Sequence, residues 1–123
     1  MTDCPFCDRI RDGEYESFPG PPGDPGVVWF EPLNPVTPGH LLVIPVRHVM
    51  DAAEDPDLTG RVFAAAARIA RESGASPSWN LITSVGGAAT QSVYHLHAHL
   101  VPRRHGDGLR LPWTQQPHYR GMS

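Results

Sequence analysis

The sequence predicts an α+β domain in which an antiparallel sheet carries one long and one short helix. Three observations point that way. Short β-favouring blocks are each bounded by Pro or Gly, one long segment repeats its apolar residues at helical spacing, and no internal repeat, heptad or linker divides the 123 residues. A chain of this length with 40% apolar residues can bury one modest core. The expected division is one domain over residues 1–104 and a polar tail over 105–123.

Pro5 at a first helical position and Gly13 just past the end predict a short helix over residues 5–12. Pro19 to Gly26 holds too many prolines and glycines to continue a helix or a central strand, and reads as a hairpin-like loop. Val27–Phe30 and His40–Ile44 read as antiparallel neighbouring strands, with residues 32–39 turning between them. From Leu58 to Ser73, the residues Leu58, Val62, Ala65, Ala66 and Ile69 form one apolar stripe, and Gly74 can end the helix. Asn80–Ser84 reads as a strand, Val85–Thr90 as a glycine-bearing loop, and Tyr94–Val101 as a strictly alternating strand. After Pro102 the pattern dissolves.

Composition excludes several function classes. The formal charge of −3 supplies no field that would gather nucleic acid or an anionic membrane surface. All ten basic residues are arginines, so Schiff-base chemistry and a phosphate-loop lysine are ruled out. No segment approaches the ~20 apolar residues of a membrane span, and the first residues show no secretory pattern; a soluble, cytoplasmic protein is expected. The two cysteines, Cys4 and Cys7, are too close for a long-loop staple and read as a metal knuckle or a redox pair.

The chemistry concentrates in His95-Leu96-His97-Ala98-His99-Leu100. Strand periodicity sends the three imidazoles to one face and the apolar residues to the other. A lone histidine would be read as a satisfied core residue, but three in register indicate a site. Their convergence on one catalytic metal ion stays open as an alternative. The preceding loop, Val85 to Val93, offers glycines, free N–H groups and the neutral donors Gln91 and Ser92, which can hold a phosphate without lysine. Taken alone, Gly86-Gly87 is equally a plain turn.

Gln91-Ser92-Val93-Tyr94-His95-Leu96-His97-Ala98-His99 resembles the histidine-triad (HIT) signature, and Asn34 to Pro45 with Arg47-His48 resembles the same family's Pro-x-x-Pro-Gly-His segment. The resemblance covers most of residues 4–104. It implies a sheet of about five strands that continues across a homodimer. It also implies a nucleotide hydrolase or nucleotidyl transferase in which His97 attacks the α-phosphorus of a purine nucleotide or dinucleotide. His99 and His95 would assist, with Gln91, Ser92, Thr90, Asn34, Phe30 and Glu31 contacting substrate. Cys4, Cys7, His48 and His95 would hold a structural zinc ion, a reading preferred to the redox pair because a βαβ context is missing. No organic cofactor is implied.

Three departures stand out. Pro32 occupies the place where the family usually carries a ribose-binding acid, with Glu31 beside it. Ser84 stands where asparagine is common, and Thr90 where a glycine is usual. The Arg-rich stretch from Pro102 is expected to be solvated, with Arg103 or Arg104 available to a polyphosphate and Trp113 or Tyr119 to a partner subunit.

Overall fold

The computed structural model describes residues 4–18 and 25–115. In chain order the main elements are α1 (Pro5–Asp12), β1 (Glu16–Phe18), β2 (Val27–Phe30), β3 (Leu41–Pro45), α2 (Pro56–Ser73), β4 (Ser78–Ile82) and β5 (Ala98–Arg103), with short 3₁₀ turns at Gly87–Ala89 and Pro112–Gln115. The five strands form one antiparallel sheet in the order β1-β2-β3-β5-β4. This is the α+β architecture the sequence predicts.

Both helices start and stop where their local chemistry demands. Cys4 caps α1 by accepting the Cys7 N–H at its Sγ (3.3 Å), Pro5 follows, and Gly13 ends the helix in the left-handed region at φ 75°. Asp55 caps α2 through the Leu58 N–H (3.1 Å), and Gly74 closes it at φ 67°. The stripe Leu58, Val62, Ala65, Ala66, Ile69 and Ala70 is buried against Val27, Val43, Leu96, Ala98 and Leu100. The small alanines let α2 lie close to the sheet. On the opposite face, Phe6 and Ile10 of α1 cover Val28, Phe30, Leu42 and Ile44. The sheet is therefore buried on both faces, and α1 occupies the histidine side.

Three expectations need correcting. The strand expected over 94–101 forms only from Ala98 and runs on through Pro102 to Arg103. Its ladder with β3 begins at the Val43–Ala98 pair, because Pro45 has no N–H to continue it, and Leu96 donates instead to the Val49 carbonyl (2.8 Å). β4 lies two residues earlier than expected; Thr83 leaves the strand and its hydroxyl donates to the His97 carbonyl (2.7 Å). The short polar strand β1 carries no apolar pattern and exists by pairing with β2.

The stretch after β5 is folded, not merely solvated. Arg103 donates to both carboxylate oxygens of Asp107 (2.8 and 3.1 Å), to Asn80 Oδ1 (2.8 Å) and to the Leu109 carbonyl (2.9 Å). Arg104 donates to Thr37 Oγ1 (3.1 Å) and to the Ala75 carbonyl (3.1 Å). Arg103 is therefore part-buried and committed to the fold, while Arg104 keeps an exposed guanidinium alongside these bonds. Gly39, at φ 87°, lies where an added Cβ would meet Pro102 at 3.1 Å and Ala75 at 3.2 Å, so the turn into β3 needs glycine. Trp113 is half-exposed, and Tyr119 lies outside the described residues. Among the described residues no helix is long and apolar enough to cross a membrane.

Candidate functional site

Although only His99 lies within β5, the alternation survives upstream: Leu96, Ala98 and Leu100 enter the α2 core, while His95 and His97 turn to the α1 side against Phe6. Each imidazole there has one nitrogen assigned by a neighbour of known polarity.

His97 places Nδ1 at 2.8 Å from the His95 carbonyl. A carbonyl only accepts, so Nδ1 carries the proton and the Nε2 lone pair is free. His95 places Nε2 at 2.8 Å from the Pro45 carbonyl, which puts its proton on Nε2 and leaves a lone pair on Nδ1. The logic reverses at His99. The Val36 N–H donates to Nδ1 of His40 (3.1 Å), so His40 carries its proton on Nε2, 3.0 Å from Nδ1 of His99. His99 accepts there and presents an Nε2–H.

Burial keeps these groups neutral. It pushes His95 down to about 4, assisted by neighbouring His48 and His97 and opposed by the Pro45 hydrogen bond. His99 falls to about 4 through burial first, then His97 and His40. His97 is lowered by burial against the opposing pull of the His95 carbonyl, and His40 is lowered by burial against the Glu31 charge.

The free Nδ1 of His95 faces a second cluster. It lies 3.4 Å from Cys4 Sγ, 3.4 Å from Cys7 Sγ and 3.1 Å from His48 Nδ1, which is 3.3 Å from Cys7 Sγ. All four donor atoms fall within 4.8 Å of one another. A tetrahedral zinc ion with bonds of about 2.3 Å to sulfur and 2.0 Å to nitrogen has sulfur–nitrogen edges of about 3.5 Å, so the donor set has the size and chemistry for such an ion. Without a cation, burial and Cys4 push the Cys7 thiol up to about 11; a bound divalent ion would reverse that preference. Among the described residues the donor atoms that come together are those of Cys4, Cys7, His48 and His95, and neither His97 nor His99 joins them. That corrects the alternative of a single metal held by all three.

The other expected residues scatter around this row. Gln91 is buried with its amide committed: Oε1 accepts the Gly86 N–H (2.9 Å), and Nε2 donates to the Met50 (2.9 Å) and Val93 (3.2 Å) carbonyls. It braces the glycine loop. Thr90 is exposed at φ 68°, a left-handed conformation unusual for a β-branched residue. Ser92 is exposed and lines a cavity of about 650 Å³ together with Cys4, Cys7, His48 and Tyr94, on the cluster side of the row. Glu31 and Asn34 are exposed between β2 and β3. Phe30 is buried beneath Phe6, with the Arg9 guanidinium 4.5 Å from its ring centre.

Sequence reasoning missed three residues. His40 was read as part of a strand and of the Pro-x-x-Pro-Gly-His segment but given no role at the site, although a histidine after Pro-Gly on the neighbouring strand was the available signal. Phe6 lies between the two cysteines and touches His97 edge to face, with ring centres 5.0 Å apart. Thr83 had no signal, because its link to the His97 carbonyl depends on where β4 ends.

A buried imidazole with Nδ1 bound to a carbonyl, flanked by a four-donor Cys/His cluster on one side and a histidine relay on the other, defines a histidine-triad site on an α+β sheet. The HIT domain family model matches residues 23–106, and the chain belongs to the HIT family. It is 36% identical over 92 residues to an uncharacterized HIT-like protein of Mycobacterium tuberculosis, covering 72% of this chain and 64% of that protein. It thus spans somewhat under two thirds of that relative's length. It is 33% identical over 114 residues to the adenylylsulfatase HINT3 of Arabidopsis thaliana, covering 89% of this chain and 56% of that protein. An AP-4-A phosphorylase of M. tuberculosis is 36% identical over 83 residues, covering 61% of this chain and 41% of the relative. Among solved structures, a zinc-bound histidine triad family protein from Mycobacterium smegmatis superposes with a TM-score of 0.72 at 32% identity, covering 88% of this chain and 80% of that one.

Proposed function

We propose that this protein is a nucleotide hydrolase or nucleotidyl transferase that cleaves at the α-phosphate of a dinucleoside polyphosphate or nucleoside phosphoramidate. The supporting observation is the 2.8 Å contact between Nδ1 of His97 and the His95 carbonyl, which leaves the Nε2 lone pair of a neutral imidazole free. Nε2 forms a bond to the α-phosphorus as the bond to the leaving group breaks. The resulting nucleotidyl-His97 is then resolved by water, which releases the mononucleotide and restores the imidazole. His99, whose Nε2–H is set by His40, donates to a phosphoryl oxygen or to the departing group.

Ser92, Thr90 and the loop N–H groups act on phosphate oxygens, and the braced Gln91 holds that loop in shape. Phe30, Glu31 and Asn34 serve base and sugar. The named activities of two relatives, adenylylsulfatase and AP-4-A phosphorylase, agree with an adenylyl-type substrate and with an acceptor that differs among members. Cys4, Cys7, His48 and His95 hold a zinc ion that, when bound, cross-links α1 to the segment leading into β5. The working unit is a soluble homodimer in the cytoplasm, with no nucleic-acid or membrane partner.

The test is release of AMP from adenosine phosphoramidate and from diadenosine polyphosphates by the native chain and by His97→Ala. Release should be lost with His97→Ala, and rapid quenching of the native enzyme should trap a nucleotidyl adduct on His97. AMP release that persists in His97→Ala, or native turnover with no adduct, would sink the covalent route.

A further inference from the structure

Among the described residues the His97 ring makes one hydrogen bond and two aromatic contacts, and two of these three belong to the cysteine-rich end of the site. One is the His95 carbonyl, which orients Nδ1. Another is Phe6, whose ring stands at 82° to His97 with centres 5.0 Å apart. The third is His99, at 5.2 Å. Phe6 also packs at 72° against His95 (6.0 Å) and at 69° against Phe30 (5.8 Å). It has no freedom of its own in sequence: Cys4 precedes it by two residues and Cys7 follows directly, and both sulfurs lie within 3.4 Å of His95 Nδ1. The first turn of α1 is thus tied at both sides of Phe6 to the residue that precedes the nucleophile by two.

An imidazole held by one hydrogen bond can still swing about its side-chain torsions, and an edge-to-face aromatic contact removes that freedom. We propose that Phe6 is a positioning residue for His97, held in place by the Cys4–Cys7–His48–His95 cluster, so that the state of the cluster sets turnover without taking part in the chemistry. The proposal rests on His97 being the nucleophile. The cluster end then does more than stabilise the fold: it transmits its integrity to the reacting nitrogen through one side chain.

The experiment compares Phe6→Leu, Cys7→Ser and the double variant for kcat and KM, metal content, and the imidazole ¹H–¹⁵N spectrum of His97 without substrate. Phe6→Leu should keep its metal, lower kcat roughly tenfold while KM stays within about twofold, and convert a single Nδ1–H form of His97 into a mixture. Cys7→Ser should lose metal and show the same kcat loss and the same mixture. The double variant should be no slower than Cys7→Ser, because both changes release one contact. Phe6→Tyr, which keeps the ring edge, should restore most of kcat.

A rise in KM alone for Phe6→Leu would mean that the ring touches substrate and not the nucleophile, and would overturn the proposal. Multiplying losses in the double variant, or an unchanged His97 spectrum in Phe6→Leu, would overturn it as well. If the native protein turns over no nucleotide, the reading of function fails, and the spectrum still decides whether Phe6 fixes the His97 ring.

Discussion

His95 and His99 flank the same residue on the same side of the chain, and burial pushes both down to about 4, yet they present opposite hydrogen-bonding faces. His95 gives its Nε2 proton to the Pro45 carbonyl and offers a lone pair to two thiols and His48. His99 accepts from His40 and offers a proton. The residue type is the same, and so is the desolvation. What differs is the polarity of one backbone group at each end: the Pro45 carbonyl in one case, the Val36 N–H acting through His40 in the other. An imidazole that offers a lone pair and an imidazole that offers a proton are thereby made from one repeat.

Breaking the His95 end should have the largest effect. Cys4→Ala leaves three donors and removes the cap of α1, and should abolish stoichiometric zinc binding while lowering stability by about 3 kcal/mol, or roughly 10 °C in Tm. Elemental analysis with calorimetry checks this; unchanged metal and Tm would mean that the cluster is not a structural centre. At the other end, His40→Ala should lower kcat/KM roughly tenfold with zinc content unaltered, because His99 loses the donor that fixes its tautomer. Loss of metal in that variant would show that the two ends are not separable.

A pH series sharpens the contrast further. In the folded chain His99 stays neutral down to about 4, whereas in the unfolded chain it protonates near its ordinary value of about 6.5. Between those values the unfolded state binds more protons, so this group makes stability fall as pH drops from about 6.5 to about 4, with no further loss below. Urea midpoints measured across that range test the sign. Because burial lowers His97 as well, activity should stay flat as pH falls through 6.5 and decline only at more acid pH; an acid limb centred on 6.5 would show that burial does not hold the site neutral. The smallest effect belongs to Glu31→Gln. Its charge raises His40 against the downward pull of burial, so its removal should lower the His40 titration further in an NMR series.

Much of this was legible before the fold was known, for reasons that differ by residue. α1 and α2 carry caps, first-turn prolines and closing glycines, so both were readable to within about one turn. The histidines could be placed on one face because two-residue periodicity outlasts the ladder that usually accompanies it. Illegible features were those that depend on a partner distant in sequence. β1 is polar and exists through its pairing with β2. β5 starts late because the strand opposite ends in Pro45. Gln91 reads as a phosphate donor in sequence, yet three backbone groups claim its amide.

Residue type and spacing by themselves determined the fold class, the two helices, the row of imidazoles and the cysteine pair, since these rest on local propensity and periodicity. Only the tertiary structure decided which nitrogen of each histidine is free, because a tautomer follows from the donor or acceptor that folding brings within about 3 Å. The sequence supplies three equivalent imidazoles. The fold makes one a candidate metal ligand, one a nucleophile-competent base and one a proton donor by setting them against Pro45, the His95 backbone and His40.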